Sequence, residues 1–177
     1  MEQPKEFLLE LQDTEWPLTY TDHDRRIARA IVYDAEGWFY FVRAIRNDDF
    51  GPSKLIETSG GGVEPDEELT AAIARELQEE LGAEVEIVCK LGVVSDYYTL
   101  IHRHNLNHYF LCKALTFGNK HLTQDEIERF HLSTLKLRYA DAVREYAACA
   151  DTPLGRLLAQ RELPVLRRAG ELLGFTE

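Results

Sequence analysis

The sequence predicts an α+β fold in which helices cover a mixed β-sheet, and three observations support this prediction. Residues 27–33 and 38–45 are rich in aromatic and β-branched side chains, as β-strands are. Residues 65–81 carry the start and stop signals of a helix. Two further strand-like segments, residues 85–94 and 108–114, come after that helix. Strands on both sides of one helix indicate a mixed sheet with helices packed on it.

The first two strands are predicted to form a β-hairpin, because the turn-forming run Asp34-Ala35-Glu36-Gly37 separates them. Residues 1–25 show no clean period, and no structure is predicted for them. Residues 47–53 form a second turn-rich run, which is followed by a short apolar piece, Leu55-Ile56, and by three glycines at residues 60–62. The chain is therefore expected to bend repeatedly between the hairpin and the helix.

The helix over residues 65–81 has well-marked ends. Pro65 suits a first-turn position, the acidic residues 66–68 complement the helix dipole, and Gly82 fits the C-terminal cap. Downstream, residues 139–149 read as helical. Residues 152–174 are rich in leucine but contain Pro164, so two short helices with a break before that proline are expected.

Three carboxylates continue the apolar stripe of the first helix. At about 100° per residue, Glu76, Glu79 and Glu80 share an arc of roughly 100° that extends the stripe begun by Leu69 and Ile73. A solvated glutamate face is the alternative, but it fits poorly, because these carboxylates repel one another and no lysine at i+4 relieves them. The pattern instead favours a hard divalent cation, Mg²⁺ by preference, with Mn²⁺ also suitable.

Composition limits the classes of function. The chain has 177 residues, with 31 acidic and 20 basic side chains and a net charge of -11, which argues against a partner that is a nucleic-acid polymer. Its N-terminal residues are charged and no apolar stretch is long enough for a membrane span, so a cytoplasmic protein without membrane contact is expected. Cys89, Cys112 and Cys149 are widely spaced and are predicted to be buried, unpaired residues.

The helix and the loop before it match a known motif. Gly61, Glu67 and the run Arg-Glu-Leu-Gln-Glu-Glu-Leu-Gly-Ala at residues 75–83 fill every specified position of the Nudix box, and the chain resembles the Nudix hydrolases. The resemblance implies an α/β/α sandwich with a mixed sheet, a single domain over residues 1–177, a core at about residues 26–150 and a helical extension at residues 151–177. Ser59 stands where relatives usually have proline, and Asp66 where glycine is common.

The resemblance also implies an activity, namely Mg²⁺-dependent hydrolysis of a diphosphate linkage in a nucleoside diphosphate joined to another moiety. In that scheme Glu76, Glu79, Glu80 and the carbonyl of Gly61 hold the metal. Arg75 and Glu67 orient the glutamates through ion pairs. The residues of the box would bind the diphosphate and the metal, which all substrates of the family share. The sequence therefore does not identify the substrate beyond a small nucleotide-like molecule.

Residues outside the box are weaker candidates. A general base is expected from the box or from a later acidic loop, where Glu126 is preferred over Asp125 and Glu128. Arg43, Arg46 and Lys54 are candidates for phosphate binding, with solvated surface charge as the alternative. Tyr98 is a candidate for stacking on a base, although core packing fits its position at least as well.

Two other classes of function are open. One is a Nudix-type sensor or regulator that binds a nucleotide without hydrolysing it, although the box here is intact. The other is a zinc protein, because His102, His104 and His108 have the same parity and are expected on one strand face. The apolar C-terminal segment is expected to dock on the core, and a homodimer is compatible with that docking.

Overall fold

The computed structural model describes residues 2–177, and its strands form one mixed sheet. The strands are β1 (Phe7–Glu10), β2 (His23–Tyr33), β3 (Trp38–Asp48), β4 (Gly51–Glu57), β5 (Ser59–Gly62), β6 (Ala83–Tyr98), β7 (Arg103–Phe117) and β8 (Ser133–Arg138). Their order is β1-β6-β7-β2-β3-β4, with β5 paired to β2 and β8 to β3. The pairs β1–β6 and β2–β7 are parallel and the others are antiparallel.

Helices cover both faces of this sheet. They are α1 (Leu69–Leu81), α2 (Gln124–Glu128), α3 (Tyr139–Ala148) and α4 (Pro153–Leu173). Because side chains alternate along a strand, Ala28 and Ala30 of β2 pack in the cluster that includes α1, whereas Ile31 packs in the cluster that includes α3 and α4. The result is a sheet between two helical layers, which confirms the predicted α+β fold with its mixed sheet.

The predicted hairpin is also confirmed. Val32 and Tyr33 of β2 pair with Tyr40 and Phe39 of β3, and Asp34 accepts hydrogen bonds from the backbone of the turn. The sequence missed β1, β4, β5 and β8. Strand β5 is the sequence Ser-Gly-Gly-Gly, which has no strand propensity, and its pairing with β2 alone gives it an extended conformation.

The start of α1 differs from the prediction. The helix begins at Leu69 rather than at residue 65, because Asp66 has a φ of 63°, a left-handed conformation that a right-handed helix cannot contain. Glycine, which the Nudix resemblance leads us to expect at this position, adopts this conformation without a steric penalty. The predicted end is confirmed: Gly82 has a φ of 64° and its N–H caps the carbonyls of Gln78 and Leu77.

The predicted break before Pro164 is wrong, because α4 continues through the proline as one helix. Proline removes the N–H that would bond to the carbonyl of Gln160. Both Pro164 and Gln160 lie on the exposed face, so water can reach the freed carbonyl, while Leu158, Val165 and Leu166 keep the opposite face buried. Continuous packing therefore outweighs one lost hydrogen bond.

The sequence also makes predictions about the cysteines and the hydropathy of the helices. Cys89, Cys112 and Cys149 are buried and form no disulfide, as predicted. Across residues 2–177, no helix has the length and hydropathy that a bilayer crossing needs.

Candidate active site

A cavity of about 350 Å³ lies where β2 and β3 separate. These strands pair only at the hairpin end, and β5 occupies the edge of β2 beyond it. The cavity is lined by side chains from β2, β3, β7 and α1, by the glycines of β5, and by Glu126 of α2. Residues far apart in the sequence therefore meet at one opening in the sheet.

Two buried carboxylates of α1 form the acidic wall of this cavity. Glu76 is 7% exposed and Glu80 is 6% exposed, and both continue the buried stripe of the helix as the sequence predicted. Glu80 accepts hydrogen bonds from the Ser59 hydroxyl at 2.5 Å and from the Gly60 N–H at 3.0 Å. Burial raises the pKa of Glu80 to about 8 and also raises the pKa of Glu76. Both groups are therefore suited to gaining a cation or a proton.

Arg75 connects the acidic wall to the loop that precedes α1. It donates to both carboxylate oxygens of Glu67 at 2.9 Å and to Glu76 at 2.8 Å, and it contacts Glu79 at 3.4 Å and the carbonyl of Gly62 at 3.2 Å. The hydrogen bond from Arg75 lowers the pKa of Glu67 to about 2. This arrangement is the one that an orienting role requires.

Gly61 allows the Glu76 carboxylate to lie against the backbone. A Cβ at this position would come within 2.6–2.7 Å of the carboxylate atoms of Glu76. Any side chain here would push the carboxylate away, so glycine at this position sets the geometry of the acidic wall.

The remaining acidic candidates lie in different places. The Glu79 side chain is 31% exposed and lies beside Arg75 rather than in the cavity lining. Glu126 lines the cavity and also caps α2, accepting from the Thr123 N–H at 2.6 Å. Asp125 instead pairs with Arg129, and Glu128 accepts from Gln124. Of the three acidic residues in this loop, the structure brings only Glu126 to the cavity.

The comparison with known families matches this region. The family model of the NUDIX domain matches residues 23–148, which include β2 to α3 and the whole acidic wall. The chain belongs to the NUDIX domain family. In a comparison with curated proteins, the NUDIX chain finds no match.

Solved structures share the fold of this NUDIX domain at low sequence identity. A NUDIX hydrolase from Nitrosomonas europaea has a TM-score of 0.58 at 15% identity, with 71% of this chain and 79% of that chain covered. The E. coli ORF135 protein has a TM-score of 0.57 at 21% identity, with 84% and 90% covered. A MutT protein from Methanosarcina mazei Go1 has a TM-score of 0.52 at 18% identity, with 72% and 85% covered. These similarities establish the fold.

The acidic wall has the chemistry of a divalent-cation site, although its ligands are not assembled. Within residues 2–177, no three His, Cys, Asp or Glu side chains converge on one point. The reason is that Arg75 holds Glu76 and Glu79, while Ser59 and Gly60 hold Glu80. Buried carboxylate oxygens beside glycine backbone are hard ligands, so the residues present fit Mg²⁺ or Mn²⁺.

Two of the predicted substrate residues line the cavity and two do not. Arg46 lines it and forms an ion pair with Glu57 at 2.6 Å. Tyr98 lines it with its buried ring, and its hydroxyl accepts from Arg161 at 2.7 Å. Arg43 contacts Glu145 at 3.4 Å, and Lys54 is exposed on β4. The side chains of Arg43 and Lys54 therefore have no place in the cavity.

Sequence reasoning missed three arginines that form a basic wall of this cavity. The wall consists of Arg25 and Arg29 of β2 and Arg103 of β7, all of which line the cavity. A signal was present, since Arg25 and Arg29 alternate with Ile27 and Ile31 on one strand face. An arginine that shares a strand face with core residues indicates that a cavity opens into the core at that point.

A buried charged cluster joins α4 to this wall. Arg161 is 1% exposed and forms ion pairs with Glu162 at 3.0 Å and with Asp96 at 3.3 Å. Glu162 also accepts from the hydroxyls of Thr58 and Tyr109. The leucine-rich pattern of this segment predicts docking on the core and does not indicate the cluster.

The three histidines of the zinc alternative lie apart. His102 has a φ of 58° in a turn before β7 and stacks on Tyr20. His104 stacks on Tyr97 and contacts Asp24 at 3.0 Å. The expectation that the histidines share a strand face is wrong for His102, because β7 begins only at Arg103.

Proposed function

We propose that this NUDIX protein is a Mg²⁺-dependent hydrolase of a diphosphate linkage in a nucleoside diphosphate joined to another moiety. The observation that carries the proposal is the pairing of an acidic and a basic wall in one cavity, which Glu76, Glu80, Arg25 and Arg103 all line. Neither wall alone binds a metal-complexed anion, because the cation needs carboxylates and the phosphates need positive charge.

The charge of the wall supports a role for a metal. Glu80 is buried and forms no ion pair among residues 2–177. Its carboxylate also lies near those of Glu76 and Glu126, which repel it. A buried carboxylate without a cation is costly. Glu76, Glu80 and the Gly61 carbonyl would hold the metal, and Glu79 is assigned to the same set because it shares Arg75 with Glu76. Once bound, Mg²⁺ would neutralise phosphate charge and lower the pKa of an attacking water.

The proposed reaction is the addition of water across the diphosphate linkage. The water oxygen forms a bond to one phosphorus atom, the bond from that phosphorus to the bridging oxygen breaks, and the bridging oxygen leaves with the other phosphate. Glu126 faces the cavity and accepts the proton that water loses, either directly or through a second water. Arg75 keeps Glu76 in position through the 2.8 Å contact and has no direct part in bond breaking.

A substrate screen with matched variants tests the proposal. The purified protein is incubated with nucleoside triphosphates, nucleotide sugars, ADP-ribose and dinucleoside polyphosphates, with Mg²⁺ or with a chelator, and phosphate-containing products are measured. We expect Mg²⁺-dependent cleavage at a diphosphate linkage for at least one substrate. Glu80→Gln and Glu79→Gln should each lower turnover by about 100-fold or more.

The matched control is Glu84→Gln. Glu84 is an exposed residue of β6 that accepts a hydrogen bond from Thr116, outside the cavity. This variant should keep wild-type turnover. Equal activity of the Glu80→Gln variant and the wild type would contradict the assignment of the acidic wall, as would cleavage that continues in chelator.

A further inference from the structure

Three arginines of the basic wall share one face of the parallel pair β2–β7. Arg25 and Arg29 are four residues apart on β2, and therefore lie on the same face about 13 Å apart along the strand. In the register of the two strands, Arg103 pairs with His23 and Asn105 pairs with Arg25, so Arg103 is a diagonal neighbour of Arg25. The long side chains of all three residues reach the same cavity.

These arginines differ from the partly or fully buried Arg46, Arg75 and Arg161 in lacking acidic partners. Arg46, Arg75 and Arg161 each form ion pairs with carboxylates. Among residues 2–177, none of the three wall arginines forms one. Arg29 donates only to the Asn107 side-chain oxygen at 3.0 Å, and the buried Nε of Arg103 has no hydrogen-bond partner.

The absence of partners is notable in a chain with a net charge of -11. Burial and the neighbouring Arg25 lower the pKa of Arg103 to about 10, which shows that its environment disfavours the positive charge. Like charges held together without a carboxylate between them destabilise the fold unless an anion joins them. The chain has 31 acidic side chains, yet among residues 2–177 none forms an ion pair with an arginine of this wall.

The structure assigns Arg25, Arg29 and Arg103 to a second anion site, which accepts a phosphate group of the substrate that is not part of the hydrolysed linkage. The inference rests on the proposed function and narrows its substrate class. A metal ion held by the acidic wall would bind the two phosphates of the linkage, and the basic wall would bind a further phosphate. The preferred substrate therefore carries at least three phosphate groups, as a nucleoside triphosphate does.

Binding to the metal-free protein tests the anion site without hydrolysis. Inorganic triphosphate and inorganic phosphate are titrated into the full chain in chelator and followed by calorimetry. Triphosphate should bind, and Arg29→Gln and Arg103→Gln should each weaken it by about ten-fold or more, since each removes a charge-assisted hydrogen bond. Arg25→Gln is a second variant at an exposed position, where misfolding is not a concern.

The matched control is Arg26→Gln, since Arg26 is exposed on the same strand and its side chain has the opposite parity. Binding should be unchanged in Arg26→Gln and should not weaken in Glu80→Gln. Triphosphate binding that is undetectable in the wild type, or equally tight in the Arg29→Gln and Arg103→Gln variants, would overturn the anion site.

Kinetics then show whether the anion belongs to the substrate. A nucleoside triphosphate and the matching diphosphate both contain a diphosphate linkage and differ by one phosphate. Arg103→Gln should lower kcat/KM about ten-fold more for the triphosphate than for the diphosphate. An equal loss for both would overturn the substrate class, because the site would then serve free anions or the linkage itself. Failure of both substrates to turn over, with triphosphate binding retained, would count against the hydrolase proposal and not against the anion site.

Discussion

Replacing Arg161 with methionine tests whether the buried charged cluster stabilises the fold. Arg161 is fully enclosed and donates to the Tyr98 hydroxyl at 2.7 Å, besides its ion pairs with Asp96 and Glu162. Methionine has a similar length and is apolar, so Arg161→Met removes the charge and the hydrogen bonds while filling most of the space. Two carboxylates would then remain buried without a cation.

The expected loss in the free energy of unfolding follows from these two uncompensated carboxylates. Breaking a buried ion pair by removing one partner costs about 3–5 kcal/mol, because the remaining charge is uncompensated. Glu162 keeps hydrogen bonds from Thr58 and Tyr109, and Asp96 keeps one from Asn107 at 2.8 Å, which limits the loss to this range. For a chain of this size, such a loss lowers Tm by roughly 10 °C.

Urea denaturation followed by circular dichroism measures the effect. The control is Arg167→Met, because Arg167 lies on the same helix but is exposed and contacts only Glu177; its cost should be below about 0.5 kcal/mol. In the double variant Arg161→Met/Glu162→Gln the second change should recover part of the loss, since it removes one uncompensated charge. An Arg161→Met variant within about 1 kcal/mol of the wild type would refute the reasoning.

Three further predictions concern single residues. Gly61→Ala should lower kcat/KM by about 100-fold with little change in Tm, because the new Cβ displaces the flexible Glu76 carboxylate; phosphate-release kinetics with wild-type efficiency would contradict this. In chelator, the free energy of unfolding should fall by on the order of 3 kcal/mol from about pH 5 to about pH 8, since Glu80 loses its proton near 4.5 when unfolded but near about 8 when folded. Glu80→Gln should remove most of that fall and leave only the contribution of Glu76, whose pKa burial also raises; an identical pH profile in the variant would exclude burial of Glu80 as its cause. Pro164→Ala should raise the free energy of unfolding by about 1–3 kcal/mol, because it restores the N–H that the Gln160 carbonyl lacks as a partner; a lower free energy of unfolding in urea denaturation at constant pH would contradict this.

The acidic wall was predictable because its determinants are local. The spacing of Glu76 and Glu80 places them on the stripe begun by Ile73, and Gly82 ends the helix one residue after Leu81. Helical periodicity acts over a few residues, so a single sequence contains the whole signal. The helical wheel does not predict where the Glu79 side chain lies, because that position depends on its contact with Arg75.

The basic wall was only partly predictable: the alternation of Arg25 and Arg29 with core residues is local, but the approach of Arg103 depends on the pairing of distant segments. Arg25 and Arg103 become neighbours only through the parallel register of β2 and β7, and no local pattern specifies that register. The proximity of Arg43 and Lys54 to the hairpin in sequence predicts phosphate contacts that the structure does not show. Arg43 and Arg46 have opposite parity on β3, so only Arg46 lines the cavity, and Lys54 is exposed on β4.

The helix α4 packs on the NUDIX core, although the family match ends at residue 148. Arg161 of α4 donates to Asp96, Asp96 accepts from the Asn107 amide, and the Asn107 oxygen accepts from Arg29 of the basic wall at 3.0 Å. These hydrogen bonds connect the C-terminal helix to a side chain of the cavity. Because each partner is buried or half-buried, a shift of α4 would change the hydrogen bonds that orient Arg29. We therefore infer that the C-terminal helix sets the geometry of the second anion site, so that Arg161→Met should weaken triphosphate binding as well as the fold.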